Sequence, residues 1–205
     1  MTTTGVALAA EEWRPSWVAR LLDRVGIVYR WRGVMTLSLA DLVEMPRLPP
    51  DYVILPWDDS RLPEVAQVDH LSYRGTIDYR LYYAYFSSPE RCRKIWREAF
   101  AGRFGRFDRE RTLLLAHRGA IVGDVMAATT GPQEGFIANL AVLPSHRGGT
   151  GRALLLTCLH RYREAGFSRV SLAVTLENRR AYRLYASVGF RETHRFPILT
   201  CQWLP

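Results

Sequence analysis

The spacing of apolar residues after residue 50 first predicts helices. A strand is predicted over Tyr52–Pro56, and the apolar residues of the following DDSRLPEVAQVDHL recur at the three- to four-residue spacing of a helix. A second helix is predicted in SPERCRKIWREAF, because Ser88 suits the N-cap and Pro89 the first turn, and it should end near Gly102. The tyrosine-rich segment between the two helices, SYRGTIDYRLYYAYF, shows no clear period.

Beyond Gly102 the pattern changes to strands and then to alternating helices and strands. Strands are predicted over residues 112–117 and 120–129, joined by a tight hairpin at Arg118-Gly119, and a third over residues 136–142. The chain should then run helix, strand, helix, strand over residues 152–165, 167–175, 178–187 and 190 to about 203. Antiparallel strands followed by βαβ crossovers predict an α/β or α+β fold with a sheet of mixed direction.

Residues 1–50 are predicted to form an N-terminal extension to a domain of residues 51–205, with the prolines of MPRLPPD as a stiff connector. The extension contains LLDRVGIVYRWRGVMTLSL, which resembles LYASVGFRETHRFPILTCQWL near the C-terminus in its order of helix end, Val-Gly and alternating strand. We hypothesise that residues 11–40 are a remnant or mimic of the C-terminal helix and strand, which extends the sheet or contacts a partner subunit. The alternative is chance similarity between two amphipathic helix–strand pairs.

Composition excludes several classes of protein. With 48% hydrophobic and 23% charged residues, the chain is typical of soluble globular proteins. It has no apolar run near the roughly 20 residues that span a bilayer, and its N-terminus lacks the features of a signal peptide. Cys92, Cys158 and Cys201 are too widely separated for a disulfide framework or a metal site. We therefore expect a cytoplasmic protein without a bound metal and without a membrane partner.

The net charge of +8 comes almost wholly from arginine, since Lys94 is the only lysine. Such a charge suits nucleic acid, or an anionic ligand such as a nucleotide-phosphate cofactor. The arginines are scattered and no nucleic-acid-binding motif accompanies them, so we expect no nucleic-acid partner.

Three glycines and two arginines lie in the segment LAVLPSHRGGTGRALLLTCLH, between a predicted strand and a predicted helix. Such a turn aims unpaired backbone N–H groups at one spot, and the helix dipole adds positive potential there. Glycine lets a phosphate approach the backbone, while Arg147 and Arg152 can supply full charges. The context fits neither a Walker A loop nor a dinucleotide-binding fingerprint. We interpret the turn as a phosphate site, with a merely flexible turn as the alternative.

The segment resembles the acetyl-CoA motif of the GCN5-related N-acetyltransferase (GNAT) superfamily. In that motif a strand ending in apolar-x-Val is followed by a proline and by Arg/Gln-x-x-Gly-x-Gly/Ala at the start of a long helix. The matching residues here are Leu140-Ala141-Val142, Pro144 and Arg147-Gly148-Gly149-Thr150-Gly151. One residue separates Arg147 from the Gly-x-Gly pair where the family has two. Either the loop is one residue shorter, which we favour, or His146 holds the arginine/glutamine position.

A second segment, LENRRAYRLYASVGF, is similar to the family's later pattern Asn-x-x-Ala-x-x-Leu-Tyr-x-x-x-Gly-Phe, from Asn178 to Phe190. The resemblance implies a GNAT fold: a central mixed, mostly antiparallel sheet flanked by helices, in which strands 136–142 and 170–175 splay apart around acetyl-CoA. It implies that the strand backbone binds the pantetheine arm, that the turn amides bind the pyrophosphate, and that Asn178, also a good N-cap, binds nearby. The cofactor-binding residues implied are Leu140, Ala141, Val142, Arg147, Gly148, Gly149, Thr150, Gly151, Arg152 and Asn178.

The resemblance also implies direct attack of a neutral amine on the thioester carbonyl. The Val142 N–H would stabilise the carbonyl oxygen and Tyr185 would be the general acid for the departing thiolate, unless it is a plain core tyrosine. For the base we choose Glu134 over Asn139, Glu177, His117 and a chain of water molecules. The acceptor pocket should lie in the tyrosine-rich segment, which equally suits a buried helix face or a dimer contact.

The resulting prediction is an acetyl-CoA-dependent N-acetyltransferase acting on a small-molecule amine or an amino-acid derivative, with a homodimer left open. One alternative is acetylation of protein N-termini or lysines, since the strand ending Asn-Leu-Ala-Val is similar to that of ribosomal-protein acetyltransferases. The other is a non-catalytic module that senses acyl-CoA.

Overall fold

The computed structural model describes residues 17–201, and within them lie eight strands and seven helices. The strands are β1 (Ile27–Ser38), β2 (Tyr52–Pro56), β3 (Arg106–Phe107), β4 (Leu113–His117), β5 (Ala120–Gly131), β6 (Glu134–Val142), β7 (Arg169–Thr175) and β8 (Arg191–Cys201). The helices are α1 (Trp17–Arg24), α2 (Leu62–Tyr73), α3 (Ile77–Leu81), α4 (Tyr83–Phe86), α5 (Pro89–Phe100), α6 (Thr150–Glu164) and α7 (Arg179–Val188).

All eight strands belong to one sheet with the order β2-β4-β5-β6-β7-β1-β8, and β3 pairs with β5. The β6–β7 pair is parallel, and the other pairs are antiparallel. A parallel pair needs a crossover connection, which α6 provides. The predicted mixed, mostly antiparallel sheet flanked by helices is confirmed.

Most predicted elements lie within two residues of their observed bounds. Ser88 caps α5 as expected, since its Oγ accepts a hydrogen bond from Arg91 N at 3.3 Å. The predicted hairpin has positive φ at both Arg118 (49°) and Gly119 (86°), which matches the twist of the strands it joins. The tyrosine-rich segment forms α3 and α4, which are too short to produce a helical period. The predicted continuation of the last strand to residue 203 lies outside the described residues.

The sheet carries a hydrophobic core on each face. Alternate residues of β4 show this directly: Leu113 and Leu115 belong to a core with α6, whereas Leu114 and Ala116 belong to a core with α2 and α5. In α6, Tyr162 is fully buried and its hydroxyl donates to Ala128 O at 2.7 Å. Its ring occupies the space where any side chain larger than glycine at residue 135 would project. These contacts fix the C-terminal part of α6 against the sheet. The glycine turn precedes the other end of the same helix.

Strand β1 lies inside the sheet, between β7 and β8, and runs antiparallel to both. The two similar helix–strand segments noted in the sequence therefore place their strands side by side. Ion pairs hold the first segment in position: Arg30, only 4% exposed, pairs with Asp23 of α1 and, at 3.4 Å, with Glu177 after β7. The division at residue 50 and the remnant hypothesis stay predictions, and residues 1–16 lie outside the described part of the chain. No helix in residues 17–201 combines the length and apolarity that crossing a membrane requires.

Candidate functional site: the cleft between two diverging strands

Strands β6 and β7 separate halfway along their length. They pair from Glu134 opposite Arg169 to Ile137 opposite Leu172, and no further. At that point the pairing of β6 with β5 skips Ala138, because Met126 faces Asn139 while the next residue of β5 faces Ile137. An extra residue of this kind bends a strand. The bulge therefore accounts for the divergence, and the separated halves border a cavity of about 680 Å³.

One end of the cavity is formed by the glycine turn before α6. Gly148 and Gly149 have φ of 107° and 106°, values that residues with a side chain rarely adopt. A Cβ on either residue would meet no atom within 4 Å, so the face in front of the helix is open. The first amides of a helix have no partner within it, and the dipole of this 15-residue helix adds positive potential. The turn therefore has the chemistry of an anion site.

Thr150 contributes to this turn in a different way. Its side chain is buried, is not part of the cavity wall, and donates through Oγ1 to His146 O at 2.5 Å. The hydroxyl thus holds the turn closed, and the backbone N–H is the group of Thr150 that a ligand could use.

The cations around the turn play separate roles. Arg147 lines the cavity, where its Nε donates to Val142 O at 3.0 Å and its Nη2 to Ser72 O at 3.3 Å. His146 instead bonds to the Tyr52 hydroxyl through Nδ1 at 3.1 Å. Of these two residues, Arg147 lines the cavity and His146 does not. Which of them holds the family's arginine/glutamine position stays a prediction.

The guanidinium of Arg152 is already bonded to Glu44 and Ser187. Its Nε donates to Glu44 Oε1 at 2.7 Å and its Nη1 to Ser187 Oγ at 2.6 Å, and the pKa of Glu44 is lowered by this pairing. The side-chain charge expected of Arg152 is thus already neutralised, although its backbone amide lies at the helix start.

Sequence reasoning missed Arg180, which is exposed and lines the cavity. Partial burial, together with the nearby Arg180 charge, lowers the pKa of Arg147. Two guanidinium groups close enough to repel each other favour an anion between them. The signal in the sequence was an arginine in the first turn after Asn178.

Asn178 begins α7 as its N-cap: its Oδ1 accepts from Ala181 N at 3.2 Å. Its Nδ2 donates to Asp78 Oδ2 at 2.6 Å, and Thr175 Oγ1 donates to the other oxygen of Asp78 at 2.5 Å. Asp78 is buried and is the only acidic residue of the cavity wall within the described chain. Sequence reasoning also missed this carboxylate, because the segment around it has no clear period.

Tyr185 is buried in α7 and forms part of the cavity wall. Burial is the main cause that raises the pKa of its hydroxyl; the Asp78 charge adds to the rise, and the Arg32 charge opposes it. Its ring packs edge-on against Phe190, with 6.0 Å between ring centroids. A tyrosine with a raised pKa stays protonated at neutral pH, so the hydroxyl of Tyr185 carries its proton in the cavity wall.

Glu134 is not brought together with these residues. It lies at the first residue of β6, where the strands are still paired, and forms an ion pair with Arg169 of β7. It is absent from the cavity wall, as are Glu177, which pairs with Arg30, and His117, which packs on Tyr52. The sequence placed Glu134 near the correct strand, but the cleft opens at the other end of that strand.

A buried polar network underlies the cavity beside β6. Asn139 lines the cavity and donates through Nδ2 to Asp69 Oδ1 at 2.8 Å and to Asp124 Oδ1 at 2.9 Å. Tyr73 also lines the cavity and donates to Asn139 Oδ1 at 2.6 Å, and Trp96 Nε1 donates to Asp69 Oδ2 at 2.5 Å.

Both carboxyl groups of this network are fully buried, which raises the pKa of Asp69 to about 6 and that of Asp124 further. Burial of these two coupled carboxyl groups therefore favours the retention of a proton by the pair. No group of three or more His, Cys, Asp or Glu side chains within residues 17–201 is arranged to hold a metal ion.

Comparison with known proteins identifies related sequences and folds. A family model described as "Acetyltransferase (GNAT) family" matches residues 78–190, more than half of the chain. A search of curated proteins found no match.

Among solved structures, the chain is similar to a GCN5-related N-acetyltransferase from Sphaerobacter thermophilus, with 25% identity and a TM-score of 0.62, over 89% of this chain and 54% of that one. It is similar to a tandem GNAT protein from the clavulanic acid biosynthesis pathway, with 18% identity and a TM-score of 0.56, over 92% and 59%. It is also similar to the ribosomal-protein-S18-alanine N-acetyltransferase from Escherichia coli, with 20% identity and a TM-score of 0.54, over 73% and 93%. The chain thus spans little more than half the length of the first two.

Proposed function

The chain belongs to the acetyltransferase (GNAT) family, and we propose that it is an acetyl-CoA-dependent N-acetyltransferase whose acceptor is the primary amine of a small molecule or an amino-acid derivative. One observation carries this proposal: the glycine turn and the free helix start lie at the end of a splayed strand, in the same cavity as Tyr185. Phosphate binding and proton donation are thereby available in one cleft.

The residues of the cavity fit coenzyme A. The open face over Gly148 and Gly149 leaves room for a diphosphate against the amides of residues 148–152. Arg147 and Arg180 add charge on the same side, and the unpaired edge of β6 beyond Ile137 can bond to the amide groups of the pantetheine arm. When bound, acetyl-CoA supplies the acetyl group as a thioester.

The protein's own groups then have three tasks. The Val142 N–H is available to the thioester carbonyl oxygen: Leu143 N donates to Val122 O on β5, so the preceding N–H points to the cleft side. Tyr185 holds a proton at its hydroxyl for the departing thiolate. Asp78, the acidic residue of the wall, is the proposed acceptor of the proton that the amine loses.

In the overall transfer an N–C bond forms and the C–S bond breaks, with its electron pair going to sulfur. One proton passes from the amine to Asp78 and one from Tyr185 to the thiolate. Asp78 then releases its proton to solvent and Tyr185 takes one up, which restores both groups.

Release of free thiol from acetyl-CoA, measured with amines, amino acids and peptides offered separately, tests the function. Peptides are included because one similar structure is that of a ribosomal-protein alanine acetyltransferase. Thiol release with a small amine or amino acid supports the proposal. Release with peptides alone would move the acceptor to protein, and cofactor binding without release on any acceptor would favour a sensor.

A further inference from the structure

A cation from β1 reaches the cavity beside Tyr82 and strand β7. The guanidinium of Arg32 lines the cavity wall, where it donates through Nη1 to the Tyr82 hydroxyl and through Nη2 to Ala173 O. These contacts use two of its five N–H groups and leave the others for a ligand. No carboxylate within residues 17–201 forms an ion pair with it. The Arg32 charge is therefore oriented but not neutralised.

The Arg32 charge is separate from the phosphate end of the cleft, which is the glycine turn together with Arg147 and Arg180. Of the other arginines in the wall, Arg147 and Arg180 act on each other at the glycine turn, and Arg152 is neutralised by Glu44. Arg32 instead acts on Tyr82 and Tyr185, lowering the pKa of each against the effect of burial. Under the proposed function, the surroundings of Tyr185 are the reacting end of the cavity, and coenzyme A offers no phosphate at that end.

Asp78 supplies the opposite charge at the same end. It acts on the same two tyrosines in the opposite direction to Arg32, so both charges are close to the Tyr185 hydroxyl. Asp78 and Arg32 form no ion pair with each other, although each lies in the cavity wall. A carboxylate and a guanidinium that face one cavity without pairing match a ligand that carries both charges.

On the basis of the proposed function, we infer that the acceptor is an α-amino acid, or a derivative that keeps both a free amine and a free carboxylate. Asp78 holds the ammonium group and accepts the proton whose loss gives the neutral amine. That proton leaves to solvent before Asp78 accepts the second one, which is released as the N–C bond forms. Arg32 holds the carboxylate. The rings of Tyr73, Tyr82, Phe86 and Phe196 supply an apolar wall for the side chain. Strand β1 is then part of the acceptor site as well as part of the sheet.

The test compares each of the common α-amino acids with the amine obtained by removing its carboxylate, in the thiol-release assay. We expect at least one amino acid to react with a kcat/KM ten-fold or more above that of its decarboxylated counterpart. In Arg32→Gln this advantage should shrink to less than about three-fold, because kcat/KM falls much further for the amino acid than for its decarboxylated counterpart. Arg32→Lys should keep part of the advantage. Arg97→Gln, which removes an exposed charge from α5, is the matched control and should change neither substrate.

Calorimetric titration with coenzyme A checks that Arg32→Gln is folded, since its affinity should equal that of the wild type. Turnover of decarboxylated amines at rates equal to or above those of amino acids would overturn the inference and leave the proposed function intact. An equal loss for both members of a pair in Arg32→Gln would also overturn it. Absence of coenzyme A binding by the wild type would overturn the proposed function, and this inference with it.

Discussion

The two ends of the cleft are built in different ways. The phosphate end comes mainly from one continuous stretch, residues 138–152, in which a bulged strand, a glycine turn and a helix start follow one another. The proposed acceptor end is assembled from β1, α3, the segment before α4, and β8, which contribute Arg32, Asp78, Tyr82 and Phe196. The phosphate end therefore carries a compact motif that many acceptors could share, whereas the acceptor end depends on the whole sheet. Changes at the two ends should separate cofactor affinity from acceptor choice.

Tyr185 lies where the two ends meet, and its replacement should have the largest effect. Tyr185→Phe keeps the buried ring and removes the proton donor, so kcat should fall by about 10² or more while acetyl-CoA affinity stays within two-fold. Tyr182→Phe is the matched control, because Tyr182 lies on the same helix, donates to Glu192 and is not part of the cavity wall. Thiol release and calorimetry measure the two quantities. Wild-type turnover in Tyr185→Phe would remove the assignment.

A single methyl group added at the glycine turn should weaken the binding of coenzyme A. Gly149→Ala places a side chain at a φ of 106° and on the open face, so coenzyme A affinity should fall about ten-fold. Gly119→Ala imposes similar strain at a φ of 86° in the β4–β5 hairpin, which is absent from the cavity wall. Both variants should lose stability in thermal unfolding, but affinity should fall in Gly149→Ala alone. Equal affinity in the two variants would contradict a diphosphate site at the turn.

Replacement of Arg180 and replacement of Arg152 should have different effects on coenzyme A affinity, although both residues lie in the cavity wall. Arg180→Gln should weaken coenzyme A binding by about three- to ten-fold, and more at low salt, since its charge is exposed in the cavity wall. Arg152→Gln should change affinity less than two-fold and lower the melting temperature instead, because its guanidinium joins Glu44 to Ser187. Calorimetry at two salt concentrations, with melting curves for both variants, measures this difference. The reverse order of effects would show that Arg152 leaves Glu44 when the ligand binds.

The buried carboxyl pair beneath the cavity should affect pH dependence more than activity. Because burial raises the pKa of Asp124 above its usual value of 3.8, the folded state keeps a proton that the unfolded chain loses. Wild-type stability from this group is thus complete below about pH 4 and declines as pH rises. Asp124→Asn mimics the protonated form, so its unfolding free energy relative to wild type should increase between pH 4.5 and pH 8. Denaturant unfolding at both pH values measures this, and a constant difference would argue against a retained proton.

The same difference between the ends explains what the sequence could predict. The glycine turn could be singled out because its residues are neighbours in the chain, and the parallel pair beside it followed from the βαβ pattern. Its role as a phosphate site stays a prediction. Glu134 was chosen because it precedes the correct strand, but the bulge at Ala138 that decides which end opens leaves no mark in the apolar pattern. Arg32 and Asp78 could not be found in this way. They meet only because β1 enters the sheet between β7 and β8, a pairing set by strands more than a hundred residues apart.

Calorimetric titration of the wild-type protein with acetyl-CoA tests the central claim most directly. We predict one molecule bound per chain, with a dissociation constant of about 1–100 μM, in keeping with usual enzyme substrate affinities, and weaker binding in Gly149→Ala. No heat of binding at millimolar acetyl-CoA, or equal binding by Gly149→Ala, would contradict the claim that the glycine turn holds the diphosphate of coenzyme A.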